Sequence, residues 1–175
     1  MGVSTEKAEP RELRFAVGQC SLGSVLVARN DRGVCAILLG DAPEHVVQEL
    51  ARRFPLATLI RVDEELSQSL GKIVGLMESP QQALDLLLDL PGTAFQQRVW
   101  QALREIPAGT TATYTEVAGR IGAPMSVRAV AHACAVNPLA VAIPCHRVVR
   151  ADGSISGYRW GVARKQTLLQ REARA

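Results

Sequence analysis

A chain of 175 residues, 47% hydrophobic and 21% charged, has a globular composition with room for one ordinary core or two small ones, which excludes disorder and fibre. Its apolar runs fall far short of the roughly 20 residues that cross a bilayer, and the opening MGVSTEKAEP lacks the apolar stretch of a secretory signal; no membrane span, a reducing compartment and reduced cysteines are expected. The net charge of +3 divides unevenly, −4 over residues 1–92 and +7 over residues 93–175, as expected of a polyanion-binding unit joined to an acidic one.

Residues 13–18, 22–29 and 33–39 are short aliphatic runs separated by Gly, Asn and Asp, which predicts three antiparallel strands. Residues 43–54 place Val46, Val47, Leu50 and Ala51 at helical spacing behind Pro43. A second helix is expected over 63–77, with three acidic residues at its positive end and Leu66, Leu70 and Ile73 on one face. Residues 84–90 read as a return to the sheet. Pro91-Gly92 interrupts the pattern where the charge changes sign, so the domain boundary is placed there, giving domains 1–91 and 92–175.

Thr93 with Gln96 fits a capping box that opens a helix running to Ile106. Thr113 with Glu116 fits a second box, starting a short helix that stops at Gly122-Ala123-Pro124. A third helix, 125–137, follows at once, and the pair forms a helix-turn-helix pattern. Val127, Val130, Ala131 and Cys134 make an inward stripe, so Arg128 and His132 face outward and Ala129, Ala133 and Ala135 leave a thin surface for close approach to another backbone. In the last helix, 162–174, Lys165, Leu168, Leu169 and Glu172 share a face. A carboxylate on a buried face requires a partner, and His146 is the natural candidate.

The most informative segment is Ile-Pro-Cys-His-Arg-Val-Val-Arg, residues 143–150. A thiol reacts as thiolate, and an ordinary cysteine with a pKa of about 8.5 needs a base or a cation nearby; His146, Arg147 and Arg150 are the neighbours expected to lower that of Cys145. Adjacent residues on a strand point to opposite faces, so Cys145 and His146 pair directly only if the backbone bends, a bridging water being the equal alternative. Cys145 as nucleophile, His146 as base and Glu172 as orienter complete the logic by which thiols are activated. Cys20, Cys35 and Cys134 read as core residues. Cys20, Cys35 and His45 supply too few zinc ligands at unhelpful spacing, so no metal is expected.

With the downstream Ser156-Gly157-Tyr158-Arg159-Trp160-Gly161, this segment resembles the active-site signature of the O6-alkylguanine-DNA alkyltransferases. The resemblance covers about residues 12–173, and the stretch from Gly33 to Gly40 looks nearest to the C-terminal domain of bacterial adaptive-response regulators; freestanding protein and regulator fragment both remain open. It implies an α/β fold, a small ribonuclease-H-like sheet-and-helix domain followed by a helical, winged-helix-like domain. It further implies irreversible, stoichiometric transfer of an alkyl group from O6-methylguanine, and from O4-methylthymine, in double-stranded DNA to Cys145, by a monomer without cofactor.

Carried over residue by residue, the resemblance makes Asn137 the brace of the turn before the cysteine and Tyr114 the residue that helps turn the nucleotide and hydrogen-bonds the base. Arg128 would fill the gap left by the flipped nucleotide in a minor-groove complex. Ala129, Thr115, Ala123 and Ala151 would touch DNA. Val148, Tyr158, Arg159 and Trp160 would line the base pocket, with Trp160 narrowing it. Two rivals are a lesion binder of the alkyltransferase-like kind, which lacks the cysteine, and a cysteine hydrolase, which would have no use for a basic helix-turn-helix.

Overall fold

The computed structural model describes residues 12–174; the N-terminal segment through residue 11, read above for a leader, and the final Ala175 lie outside the described residues. Strands β1 (Glu12–Cys20), β2 (Gly23–Asn30) and β3 (Gly33–Gly40) form the expected antiparallel meander. The side chain of Asn30 closes the second turn by accepting the amides of Arg32 and Gly33 at 2.8 and 3.1 Å. Val25 to Ala28 and Val34 to Leu39 are continuously buried, as in strands covered on both faces. Helices α1 (Pro43–Arg53) and α2 (Ser67–Glu78) pack against them.

Three details of this half differ from the sequence reading. A fourth strand, β4 (Thr58–Arg61), pairs parallel to β1 and completes the order β3-β2-β1-β4; with Leu59 and Ile60 half-buried between exposed Thr58 and Arg61, it shows no alternation that would reveal it. The acidic run 63–65 precedes α2 instead of opening it, because its carboxylates have other partners: Asp63 accepts the Val17 amide and the Arg61 guanidinium, and Glu65 accepts from Arg14 at 2.6 Å. Residues 84–90 form no strand. They make one isolated bridge, in which Val34 donates to Leu87 and Asp89 donates to Val34, both at 2.8 Å.

The second half is helical, with α3 (Ala94–Arg104), α4 (Tyr114–Arg120), α5 (Val127–Ala135) and α6 (Val162–Arg174), plus a 3-10 turn at Cys145–Arg147 and a two-stranded parallel ladder of β5 (Ala112–Thr113) and β6 (Val148–Val149). The Thr93 and Gln96 box forms in both directions, at 3.1 and 3.0 Å. The second box forms only by half: Thr113 accepts the Glu116 amide but its own residue is already paired with Val149 in the ladder. The third helix is shorter at both ends than its pattern suggested: it begins after Ser126, which makes no side-chain cap, and ends before Val136.

β3 lies at the edge of the sheet, and an open edge invites unwanted pairing. Here it is covered twice, by residues 87–89 and by the segment after α5, where Ile37 donates to Pro138 at 2.9 Å and Ala140 donates to Ile37 at 3.0 Å. That second contact anchors the approach to Cys145 on the sheet. Buried side chains from Leu13 to Leu168 then form one continuous cluster. The protein is mixed α/β, sheet first and helices after, and among the described residues no helix is long and apolar enough to cross a membrane.

The edge cover can be tested at Gly33, whose φ is +150° and where a Cβ would stand 2.6 Å from the Leu87 carbonyl oxygen. Gly33→Ala is expected to destabilise by roughly 2 kcal/mol. Gly71→Ala, in α2 with nothing within 4 Å of the new methyl group, is expected to stabilise by roughly 0.5–1 kcal/mol. Urea denaturation of both variants checks the contrast; equal and small effects would show that residues 87–89 do not hold the edge.

Candidate active site

The nucleophile is positioned by the chain before it. Asn137, fully buried at the end of α5, accepts the Leu139 amide at 2.9 Å and donates to the Ile143 carbonyl at 2.9 Å and to Cys145 Sγ at 3.2 Å. Between these anchor points the backbone makes two tight i to i+2 bonds of 2.7 Å, one around Val141 and one around Pro144. Val141 sits at φ 59°, a left-handed conformation that costs a β-branched residue roughly 1–3 kcal/mol. Pro144, at φ −79° and ψ 61°, has the geometry of an inverse γ-turn and delivers Cys145 into the 3-10 turn. The backbone bends there, yet Cys145 and His146 make no direct hydrogen bond among the described residues.

Cys145 is 4% exposed, and burial pushes its thiol up to about 11, against the Asn137 hydrogen bond and the nearby Lys165 cation, which both lower it. This corrects the expectation that His146, Arg147 and Arg150 lower it. Arg150 is exposed, and Arg147 is spent on Glu172 and on the Ile106 carbonyl, 2.7 Å away. Burial therefore favours the protonated thiol. The thiolate has to form in place, with a neighbouring base taking the proton.

That base is shaped by α6. Its buried stripe carries Lys165, Leu168 and Glu172, as the spacing predicts, and Glu172 meets His146 Nε2 at 2.7 Å. Burial raises the carboxyl pKa, but His146 and the forked Arg147 contacts of 2.8–3.1 Å outweigh it and hold the group at about 2. An ionised carboxylate only accepts, so Nε2 carries the ring proton and Nδ1 presents a lone pair. Burial also lowers the His146 pKa despite the carboxylate, which leaves the ring neutral and Nδ1 a competent acceptor.

Cys145 opens on a cavity of about 390 Å³, lined by Tyr114 from the start of α4, by Ala131, Cys134 and Ala135 of α5, and by Gly157, Tyr158 and Arg159. The β5–β6 ladder places Tyr114 there, because Thr113 pairs with Val149 and fixes the next residue near the segment that follows the cysteine. Val148 and Trp160 are not among the lining residues. Val148 is paired into β6, and Trp160, 4% exposed, stands edge-on behind Tyr158 with ring centres 5.3 Å apart. Arg159 lines the cavity while its guanidinium reaches back to Glu49 of α1 at 2.7 Å.

Along the helix-turn-helix, Arg128, Ala129, His132, Thr115 and the more distant Ala151 are exposed and Ala123 is half-buried. Ala133 is buried and so leaves the thin outer surface assigned to it; the actual stripe is Val130, Ala133 and Cys134. Among the described residues no three His, Cys, Asp or Glu side chains gather as a metal-ligand set. Cys20 instead lies 3.8 Å from the Met77 sulfur and Cys35 points at the Ala28 carbonyl.

Residues 94–174 match the family described as 6-O-methylguanine DNA methyltransferase, DNA binding domain. The chain is 38% identical over 132 residues to the inducible methylated-DNA–protein-cysteine methyltransferase of Bacillus subtilis, covering 75% of this chain and 74% of that protein. It belongs to the methylated-DNA–protein-cysteine methyltransferase family. It is also 52% identical over 161 residues to the bifunctional transcriptional activator/DNA repair enzyme Ada of Escherichia coli, covering 92% of this chain but 46% of that protein. The chain thus spans about half the length of the first curated relatives it matches. The crystal structure of the Mycobacterium tuberculosis O6-methylguanine methyltransferase superposes with a TM-score of 0.78 at 31% identity, covering 93% of both chains.

Three members of this site carried a weak signal or none in the sequence. Lys165 was visible as a lysine on an apolar stripe, an anomaly that marks a buried cation. Cys134 reads as core by periodicity, and only the cavity shows that its helix face borders the site. Ser156, whose Oγ lies 2.5 Å from Tyr114 Oη, is an ordinary serine until the loop is folded.

The Glu172 geometry yields a pH prediction. Its folded pKa lies below the unfolded value of about 4.3, so its contribution to stability is complete above about pH 5 and is lost as pH falls toward 2. Glu172→Gln leaves Arg147 and His146 without their partner and is expected to cost roughly 3–5 kcal/mol at pH 7. The gap between variant and wild type should shrink at pH 3, measured by denaturant titration; a gap independent of pH would mean that the carboxylate is not ionised in the folded protein.

Proposed function

We propose that this chain repairs DNA by moving the alkyl group of O6-methylguanine, and of O4-methylthymine, onto Cys145, once and irreversibly. The observation that carries this reading is a buried cysteine at the floor of a base-sized cavity, beside a histidine whose free nitrogen is presented by an ionised carboxylate. In the sequence of events, the thiol proton passes to His146 Nδ1, directly or through a bridging water. Sγ attacks the alkyl carbon as the bond to oxygen breaks, and the electron pair stays with the purine. The resulting thioether has no good leaving group, so one chain accepts one alkyl group.

Double-stranded DNA is the partner that the remaining features fit. The Mycobacterium tuberculosis relative has been crystallised in complex with DNA, with a TM-score of 0.77, and here Arg128 and Ala129 stand exposed on α5 in the basic half of the chain. The alkylated oxygen of a stacked guanine is out of reach of a buried sulfur, so the nucleotide is turned out into the cavity, with Arg128 entering the space it leaves from the minor groove. Asn137, Tyr114, Tyr158 and Arg159 hold the pocket side, Thr115, Ala123 and Ala151 the DNA side. In this reading residues 1–91 support the approach to Cys145 through the β3 edge, and residues 92–175 bind DNA and carry the chemistry, in a monomer.

Counting lesions against protein tests the reaction type. With excess O6-methylguanine DNA, wild type is expected to remove one methyl group per chain, and Cys145→Ala to remove none while still binding DNA. Continuous turnover would identify a hydrolase, and DNA binding without any removal by the wild type would identify a lesion binder. Arg128→Ala is expected to lower the rate on duplex DNA by 10- to 100-fold, on the scale of losing one well-placed contact, and to leave attack on the free O6-alkylguanine base nearly unchanged. Equal losses on both substrates would contradict a role in extrusion.

A further inference from the structure

A second hydrogen-bonded chain, separate from the His146–Glu172 pair, reaches the cavity through Tyr114. Lys165 is wholly buried, and its ammonium meets three oxygen atoms, the carbonyl of Val148 at 2.7 Å, Ser156 Oγ at 3.1 Å and the carbonyl of Gly157 at 3.4 Å. Three ammonium hydrogens face three acceptors, and an ammonium cannot accept in return. Ser156 therefore receives a hydrogen bond from Lys165, and its own hydrogen is left for its other contact, Tyr114 Oη at 2.5 Å. Ser156 is 8% exposed, so a hydroxyl hydrogen without an acceptor would be costly there. With the phenol oxygen accepting from Ser156, the phenol hydrogen points away from the serine, and Tyr114 lines the cavity.

We propose that Ser156 is a positioning residue that, held by Lys165, donates to Tyr114 and turns the phenolic hydrogen into the cavity as a donor to the departing base. The proposal rests on the alkyl-transfer reading above. As the sulfur–carbon bond forms and the carbon–oxygen bond breaks, the purine acquires the electron pair, and a donor aimed at the ring stabilises the charge that develops. The proton that left the thiol restores neutrality once the base is released. Each bond in a donor chain polarises the next by some 10–30%, so the cation at the far end strengthens the phenol as a donor without touching substrate. Consistent with this direction, burial raises the Tyr114 pKa and the bond to Ser156 pulls against it.

The test is a double-mutant cycle read by single-turnover rate on O6-methylguanine duplex, with DNA affinity and thermal stability measured alongside. Wild type must first show one methyl transferred per chain; if it does not, the alkyl-transfer reading fails, and with it the proposal. Given that transfer, Ser156→Ala is expected to slow the reaction about tenfold with little change in DNA affinity, Ser156→Thr to restore most of the rate, and Ser156→Ala in a Tyr114→Phe background to add nothing, because the phenol it acts through is gone. The deficit should also shrink on a free-base substrate with a less basic leaving group, a dependence that a packing role would not produce. An unchanged rate in Ser156→Ala, or the same loss with and without the Tyr114 hydroxyl, would overturn the proposal.

Discussion

The buried carboxylate of Glu172 is the interaction on which the site depends. It joins α6 to the 3-10 turn through His146 and Arg147, and Arg147 carries the link onward to the carbonyl of Ile106 just beyond α3. A buried ion network seldom stabilises more than a well-packed apolar replacement would, although breaking it is expensive. Its return here is chemical: the carboxylate fixes the imidazole tautomer, leaves Nδ1 free to accept and stabilises the ring when it takes a proton. The same helix presents Lys165 about two turns earlier on the same stripe, so α6 supplies both the carboxylate behind the base and the cation that favours the thiolate.

Burial and activation oppose each other at Cys145. Low exposure protects the thiol and raises its pKa, and the structure answers with a short list of compensations: the Asn137 amide on the sulfur, Lys165 nearby and the histidine as proton acceptor. Cys134 borders the same cavity and shares the influence of Lys165, but it receives no bond from Asn137, and burial raises its thiol too. Two thiols at one cavity, only one of them braced and served by a base, is the asymmetry from which the choice of acceptor follows.

Much of this was legible in the sequence, where local patterns carried it. Periodicity located Glu172 on the inner face of α6, turn residues marked the first three strands, and the capping box at Thr93 gave the start of α3. The resemblance supplied Asn137 and Tyr114, and the structure brings both to Cys145. What stayed hidden depends on long-range pairing. β4 is four residues, none fully buried, that become a strand only beside β1, and the acidic run before α2 looked like a helix start because Arg14 and the Val17 amide, which hold Glu65 and Asp63, lie far away in the chain. The positive φ of Val141 breaks the local preference of its residue type, and such conflicts arise where tertiary structure imposes the conformation, typically near a functional site. The resemblance and the size of its indole put Trp160 in the pocket wall, whereas neighbours in an irregular loop need not face the same way, and the ring packs against Tyr158 instead.

The account stands most directly on the identity of the acceptor atom. Wild-type protein reacted with duplex containing isotopically labelled O6-methylguanine, then digested and analysed by tandem mass spectrometry, should carry the label on Cys145 alone, with Cys134 unmodified although it borders the same cavity. Label on Cys134, or on both cysteines in comparable amounts, would contradict the claim that Asn137 and the His146–Glu172 pair select the nucleophile.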